Sequence, residues 1–193
     1  MTAVLWLFLA QGLLGAFDTV YFHEWRARLP ARRKARAELV VHAIRDFLYA
    51  VLFISLPWFT WGGAWAFVLT CVILAEIILT FTDFIVEMRV RKALGDVFGG
   101  ERITHAAMAI VYGAALANLI PEIVRWARGA SIVSWNPVDA PGSLRVALTA
   151  MGVGVALSGL RDLYAAFGPP GASWPWPRAD EARESAVPTT TGG

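Results

Sequence analysis

The sequence predicts an all-α integral membrane protein, a bundle of five transmembrane helices. Hydrophobic residues make up 57% of the 193 residues and are gathered in long runs, such as residues 4–17, 47–59 and 65–81. Such runs are typical of membrane spans, because an α-helix needs about 20 apolar residues to cross the hydrocarbon layer. The basic residues are gathered instead in two connections between the runs, a pattern that orients helices in a membrane.

Each predicted helix follows from one apolar run. The first run lacks the basic start and cleavage site of a secretory signal and contains Gln11 and Asp18, so we expect a retained first helix. The single cysteine, Cys71, lies in the middle of the third helix, which leaves no basis for a disulfide framework. Gly, Ala and Ser residues give the fifth helix a surface suited to close packing in lipid. The predicted helices cover residues 4–22, 38–58, 65–88, 103–126 and 144–167.

The basic connections set the predicted orientation. Residues 26–36 and 89–102 are rich in Lys and Arg, so both are expected in the cytoplasm, with the amino terminus outside. Arg125 and Arg128 count against this orientation, because it places them outside. We interpret the basic clusters as orientation signals rather than as a nucleic-acid surface. The expected location is the inner (cytoplasmic) membrane, crossed several times.

The end of the chain differs in composition from the rest. Residues 1–168 are predicted to form the five-helix domain, and residues 169–193 form a cytoplasmic tail rich in Pro and Gly. This composition predicts disorder after about Trp176, because it offers little apolar surface to bury.

Polar residues form one edge of the third helix, although its surroundings are apolar. At about 100° per residue, positions 76, 80, 83 and 87 fall on one stripe. Glu76, Thr80, Asp83 and Glu87 therefore face the same way. A charged side chain at the centre of a span costs roughly 2.5 to 3.5 kcal/mol, so these acids are expected to face the interior of the bundle.

The other helices carry polar residues with the same kind of spacing. His42 and Asp46 lie four residues apart on the second helix, and Tyr49 continues their face. With the predicted orientation, most of these groups lie at one depth in the cytoplasmic half of the bundle. They must face each other, water or a bound cation. The remaining members are Gln11 and Asp18 on the first helix, Glu101, His105 and Tyr112 on the fourth, and Arg161 and Asp162 on the fifth.

This layer predicts a metal site. Imidazole nitrogens and carboxylate oxygens from several helices of a bundle are the ligands of carboxylate-bridged metal centres. We expect one or two divalent ions, zinc or iron, between the first four helices. The predicted metal ligands are Asp18, His42, Asp46, Asp83, Glu87 and His105, and Glu76, Tyr49 and Tyr112 are the predicted catalytic or proton-carrying groups.

Each pair also has a simpler interpretation. His42 with Asp46 can form an ordinary hydrogen-bonding pair between helices, and Glu87 can pair with Arg91. Glu101 can serve only as a carboxylate in the first turn of a helix. His23 lies about 140° from Asp18 on a continuous α-helix, so it joins the site only if the chain unwinds after Phe22. Whether His23, Glu24 and Glu101 belong to the site stays open at this point.

The function predicted from the sequence is that of a membrane metalloprotein, with an enzyme favoured. Zinc would suit hydrolysis and iron would suit oxidation, and the location at bilayer depth favours a lipidic substrate. A proton- or cation-coupled transporter could use the same acids and histidines as a relay. A haem ligated by two histidines fits less well, because the carboxylates would crowd an apolar macrocycle. A non-catalytic membrane partner protein, or a homo-oligomer, is a further possibility.

Overall fold

The computed structural model describes residues 1–92 and 96–177, which are mostly helical. Four helical segments are long and apolar enough to cross a membrane, and they indicate a multi-pass membrane protein. Large apolar side chains such as Leu13, Phe81 and Ile110 are exposed on the outside of the bundle, as expected of a surface that faces lipid. These four segments are Thr2–Ala27, Ala64–Lys92, Gly99–Ala127 and Gly142–Phe167.

Among the described residues, the α-helices agree in number and order with the apolar runs of the sequence. Two short 3₁₀ turns, Leu29–Ala31 and Arg33–Ala35, connect the first helical segment to the second helix. The helices are α1 (Thr2–Phe17), α2 (Arg36–Ser55), α3 (Ala64–Lys92), α4 (Gly99–Ala127) and α5 (Gly142–Phe167).

The first helix does not end where the sequence predicted. Beyond Phe17 the chain continues without a break as a π-helix, Asp18–Ala27, which we call the π segment. It ends at Arg28, whose backbone is left-handed with φ of 52°. Because a π-helix bonds each residue to the fifth residue along, residues five apart lie on the same side of the helix. This change of period decides which side chains meet in the site.

A short β-ribbon, which the sequence did not predict, joins two connections at one end of the bundle. The strands β1 (Phe59–Trp61) and β2 (Val133–Trp135) are antiparallel, with Thr60 opposite Ser134. Aromatic and β-branched residues favour such pairing. We call this the ribbon end.

The opposite end carries the basic connections. The guanidinium of Arg26 lies 4.4 Å from the centre of the Phe98 ring, so the connections before α2 and before α4 meet there. We call it the basic end. Residues 170–177 fold back onto this end, where Trp176 packs edge-on against Trp25. The disorder predicted after about Trp176 concerns mainly residues outside the described part of the chain.

The interior of the bundle has two layers. Towards the ribbon end it is an apolar core that includes Leu5, Phe8, Leu56 and Leu119. Towards the basic end it is occupied by charged and polar side chains, of which Glu38, Glu76 and Glu101 have no exposed surface. The polar layer predicted from the sequence is therefore buried within the bundle.

Candidate metal centre

The π segment places His23 beside Asp18. Nε2 of His23 lies 3.3 Å from Oδ2 of Asp18. On an α-helix these two side chains would point in different directions, whereas five-residue spacing brings them together in a π-helix. The sequence predicts that His23 joins the site only if the chain unwinds after Phe22, and the widened helix begins earlier, at Asp18.

Two residues of α4 complete a group of four. Glu101 and His105 lie four residues apart and so share one face of the helix. Nε2 of His105 is 3.2 Å from Oδ2 of Asp18, and Oε1 of Glu101 is 3.3 Å from Nε2 of His23. One potential ligand atom from each of the four residues lies within 4.8 Å of all the others. We call Asp18, His23, Glu101 and His105 the quartet.

Several quartet atoms are buried without a hydrogen-bond partner among the described residues. These are Oδ1 of Asp18, Oε2 of Glu101 and Nε2 of His23. Asp18 is almost fully buried and Glu101 has no exposed surface. A buried polar atom without a partner costs free energy, so these atoms remain available to a proton or to a further ligand.

Arg91 on α3 contacts the quartet through Glu101. Its side chain is 1% exposed, although it belongs to one of the most hydrophilic residue types. Nε of Arg91 donates a hydrogen bond to Oε1 of Glu38 at 2.9 Å, and Nη2 donates to Oε1 of Glu101 at 3.0 Å. The sequence suggests Glu87 as a partner of Arg91. In the structure Oε1 of Glu87 lies 4.0 Å from Nη2 of Arg91. The guanidinium thus fixes one carboxylate oxygen of Glu101 and leaves the other free.

A second group of charged side chains adjoins the quartet through stacked histidines. The rings of His23 and His42 are nearly parallel, with centroids 4.5 Å apart. Nε2 of His42 lies 3.1 Å from Oδ1 of Asp83, and its Nδ1 lies 3.9 Å from Oδ2 of Asp162. His23, Glu38 and His42 also have potential ligand atoms within 4.8 Å of one another. This group could hold a second ion only by sharing His23 with the quartet.

Asp83 has a cation partner on a neighbouring helix. No basic residue lies within one turn of Asp83 on α3, and the cation comes instead from α2. Nη1 of Arg45 donates to Oδ2 of Asp83 at 2.5 Å, and Nη2 of Arg45 lies 3.7 Å from Oε1 of Glu76. The charge of Asp83 is therefore balanced without a metal ion.

The other predicted site residues surround these two groups. Oε2 of Glu87 lies 3.7 Å from Nδ1 of His105, and Glu76 accepts a hydrogen bond from Oγ1 of Thr80 at 2.7 Å. The rings of Tyr49 and Tyr112 lie 5.9 Å apart. The structure thus brings Asp18 and His105 together in the quartet and places His42 with Asp83 in the second group. It leaves Asp46, Glu87, Glu76, Tyr49 and Tyr112 outside both groups.

Acids outnumber cations in this layer. Even if His23, His42 and His105 were all protonated, they and two arginines would supply five positive charges. Arg161 does not alter the balance, because it pairs with Glu24 at 3.1 Å. Neutrality therefore requires protons or metal ions on some of the carboxylates. The acids are Asp18, Glu38, Asp46, Glu76, Asp83, Glu87, Glu101 and Asp162, and the arginines are Arg45 and Arg91.

No protein-family model matches the sequence, and no curated protein or solved structure is significantly similar to it. Function is therefore inferred from the chemistry of the quartet and its surroundings.

Proposed function

We propose that the chain is a membrane-embedded metalloprotein that binds a divalent ion in the quartet and acts as an enzyme on a lipidic substrate. The observation that carries the proposal is the convergence of two imidazoles and two carboxylates, from two helices, within 4.8 Å. This arrangement differs from the ligand set predicted from the sequence, with which it shares Asp18 and His105. His23 and Glu101 take the place of residues that have other partners.

The donor set is compatible with zinc and with iron. Neutral imidazole and carboxylate oxygen suit both ions. A zinc ion would supply an activated water for hydrolysis, and an iron ion would supply oxidation chemistry. Asp18 and Glu101 each have one oxygen without a hydrogen bond among the described residues, so each can bind the ion without giving up a contact.

We further propose that α2 is a fifth span. It has 20 residues, which at 1.5 Å per residue is about 30 Å, the thickness of the hydrocarbon layer. It is less hydrophobic than the four helices named above because it carries charges. Two of these charges are paired inside the bundle, Glu38 with Arg91 and Arg45 with Asp83, so they would not face lipid. With five spans the basic end lies in the cytoplasm, as expected for a protein of the inner membrane.

A proton- or cation-coupled transporter is the second candidate. Charged side chains contact one another from Glu101 through His23 and His42 to Asp83, as a relay would require. This path ends near Glu76, beyond which the apolar core fills the bundle up to the ribbon end. A polar path that stops halfway supports an enzyme more than a conduit. A protein in which the polar layer only orders the helices would bind no metal.

Metal content tests the proposal. Wild-type protein purified in detergent and supplied with zinc or ferrous iron should retain about one ion per chain by elemental analysis. Glu101→Gln and His105→Ala should lose it. Glu122→Gln is the matched control, because Glu122 pairs with the amino terminus at 3.2 Å and with Arg125, far from the quartet. A wild-type protein that binds neither ion, or quartet variants that keep full occupancy, would overturn the proposal.

A further inference from the structure

A cavity of about 400 Å³ leads from the quartet into the middle of the bundle. Its floor is polar and includes Asp18, His23 and His105. Its walls are largely apolar, with Met108 on α4 and Met151 on α5 among them. A concave apolar space of this size with a few convergent polar groups is typical of a small-molecule site.

The two helices that flank the cavity touch at one level and have open space beside each of them at the next. At Gly12 of α1 they touch, since a Cβ atom there would lie 2.9 Å from Sδ of Met151 on α5 and 3.1 Å from the Phe53 ring. At Gly15, one turn closer to the quartet, a Cβ atom would meet nothing within 4 Å, and the same holds at Gly154 of α5. Both glycines line the cavity. We call this gap between Gly15 and Gly154 the α1–α5 slot.

The slot opens on the outer surface of the bundle. Ala16 and Gly154 line the cavity and are exposed, and Val20, which also lines it, is 66% exposed. The neighbouring side chain of Leu157 on α5 is exposed as well. Because α1 and α5 belong to segments suited to cross a membrane, this surface faces the acyl chains of the bilayer.

We propose that the α1–α5 slot admits a single hydrocarbon chain of an amphiphile from the bilayer and brings its polar end to the quartet. The metal at the end of this route rests on the proposed function, but the route itself does not. The mouth is apolar and lined by small residues, which suits one extended chain. The floor supplies imidazole, carboxylate and hydroxyl groups, including Ser158, for the polar end. A free fatty acid and an acyl chain of a phospholipid share this chemistry.

Photochemical labelling tests the route. The probe is a fatty acid with a diazirine on a carbon close to its carboxylate, added to the protein in phosphatidylcholine vesicles, with adducts located by mass spectrometry. The proposal predicts adducts on Met108 and Met151. Gly15→Leu and Gly154→Leu should each reduce these adducts roughly tenfold, because an isobutyl group would fill the slot. A phosphatidylcholine carrying the same diazirine chain distinguishes a two-chain source from a single-chain one.

Gly113→Leu is the matched control. Gly113 lies on the exposed face of α4, a Cβ atom there would also meet nothing within 4 Å, and it does not line the cavity. Gly113→Leu should give as much adduct on Met108 and Met151 as the wild type gives. If a leucine at Gly15 or Gly154 impairs folding, Ala16→Leu fills the same mouth from an exposed position.

The outcomes separate the route from the metal. Cavity adducts that persist in all slot variants, or that are absent from the wild type with both probes, overturn the route even if metal is bound. If the protein holds no metal and the slot variants lose the cavity adducts, the result supports the route and overturns the proposed metal centre. The slot variants should keep their metal, since neither glycine belongs to the quartet.

Discussion

Nε2 of His23 lies 3.3 Å from Oδ2 of Asp18, five residues earlier on the same π segment. The contact exists because the chain adopts the wide π turn at this point, and such turns are often found at functional sites. Asp18 also contacts His105 on α4 through the same oxygen. A local change of helix period thereby joins two helices at one potential metal site.

His23→Ala should abolish metal binding while the protein stays folded. The substitution removes one of the two nitrogen ligands, and the remaining imidazole and two carboxylates bind zinc or ferrous iron more weakly than the full set of four. The measurement is metal content after dialysis, with circular dichroism to report helicity. Tyr21→Ala is the control, since Tyr21 lies on the same π segment but is exposed and stacks on Phe17. Full metal occupancy in His23→Ala would exclude His23 as a ligand.

The sequence predicts the polar layer well because a buried charge in a membrane helix needs a partner, and helical spacing shows which side chains share a face. α-Helical spacing does not place His23, because the π segment has a different period. The pairing of Arg45 with Asp83 could not be predicted either, because the distance between α2 and α3 is a tertiary property. The β-ribbon was missed because three-residue strands in loops leave only a weak pattern.

Arg91→Lys should weaken metal binding by roughly 10- to 100-fold, the usual effect of losing a group that orients a ligand. Lysine keeps the positive charge but cannot bond Glu38 and Glu101 with one planar group. The measurement is metal affinity by titration calorimetry, alongside thermal stability. Arg102→Lys should change neither, because Arg102 is exposed where it pairs with Asp96. Equal affinity in wild type and Arg91→Lys would show that Arg91 has only a structural role.

Chelation of the metal should destabilise the protein. The layer contains more acids than cations, so removing a divalent ion leaves carboxylates that repel one another. A ligand present at 100 times its dissociation constant stabilises the folded state by about 2.7 kcal/mol. We therefore expect a lower melting temperature in a chelator and recovery on adding back the ion. Glu101→Gln, which should not bind metal, is expected to be insensitive to the chelator.

Lys34 and Asp139 should lie on opposite sides of the membrane. Five spans place the connection before α2 in the cytoplasm and the connection before α5 outside, whereas a bundle in which α2 does not span would put both on one side. Single cysteines at these exposed positions, in a Cys71→Ala background, can be labelled with an impermeant maleimide on intact cells. The expected result is labelling at 139 only. Labelling of both positions, of neither, or of 34 alone would refute the proposed topology.

Asp83→Asn should destabilise the protein and leave the metal bound. The sequence predicts Asp83 as a metal ligand, but in the structure Arg45 donates to it at 2.5 Å and Nε2 of His42 lies 3.1 Å from its Oδ1. Removing one partner of a buried ion pair costs about 3–5 kcal/mol, because the other charge is left uncompensated. The measurements are thermal stability and metal content.

A double variant separates the ion pair from the metal. In Asp83→Leu with Arg45→Met both charges are gone, and replacing a buried pair by apolar groups is often neutral or stabilising. We expect this variant to recover most of the stability lost in Asp83→Asn and to bind metal as the wild type does, because neither residue belongs to the quartet. Loss of metal in both variants, with helicity unchanged, would instead make Asp83 a ligand and return the centre to the position first predicted from the sequence.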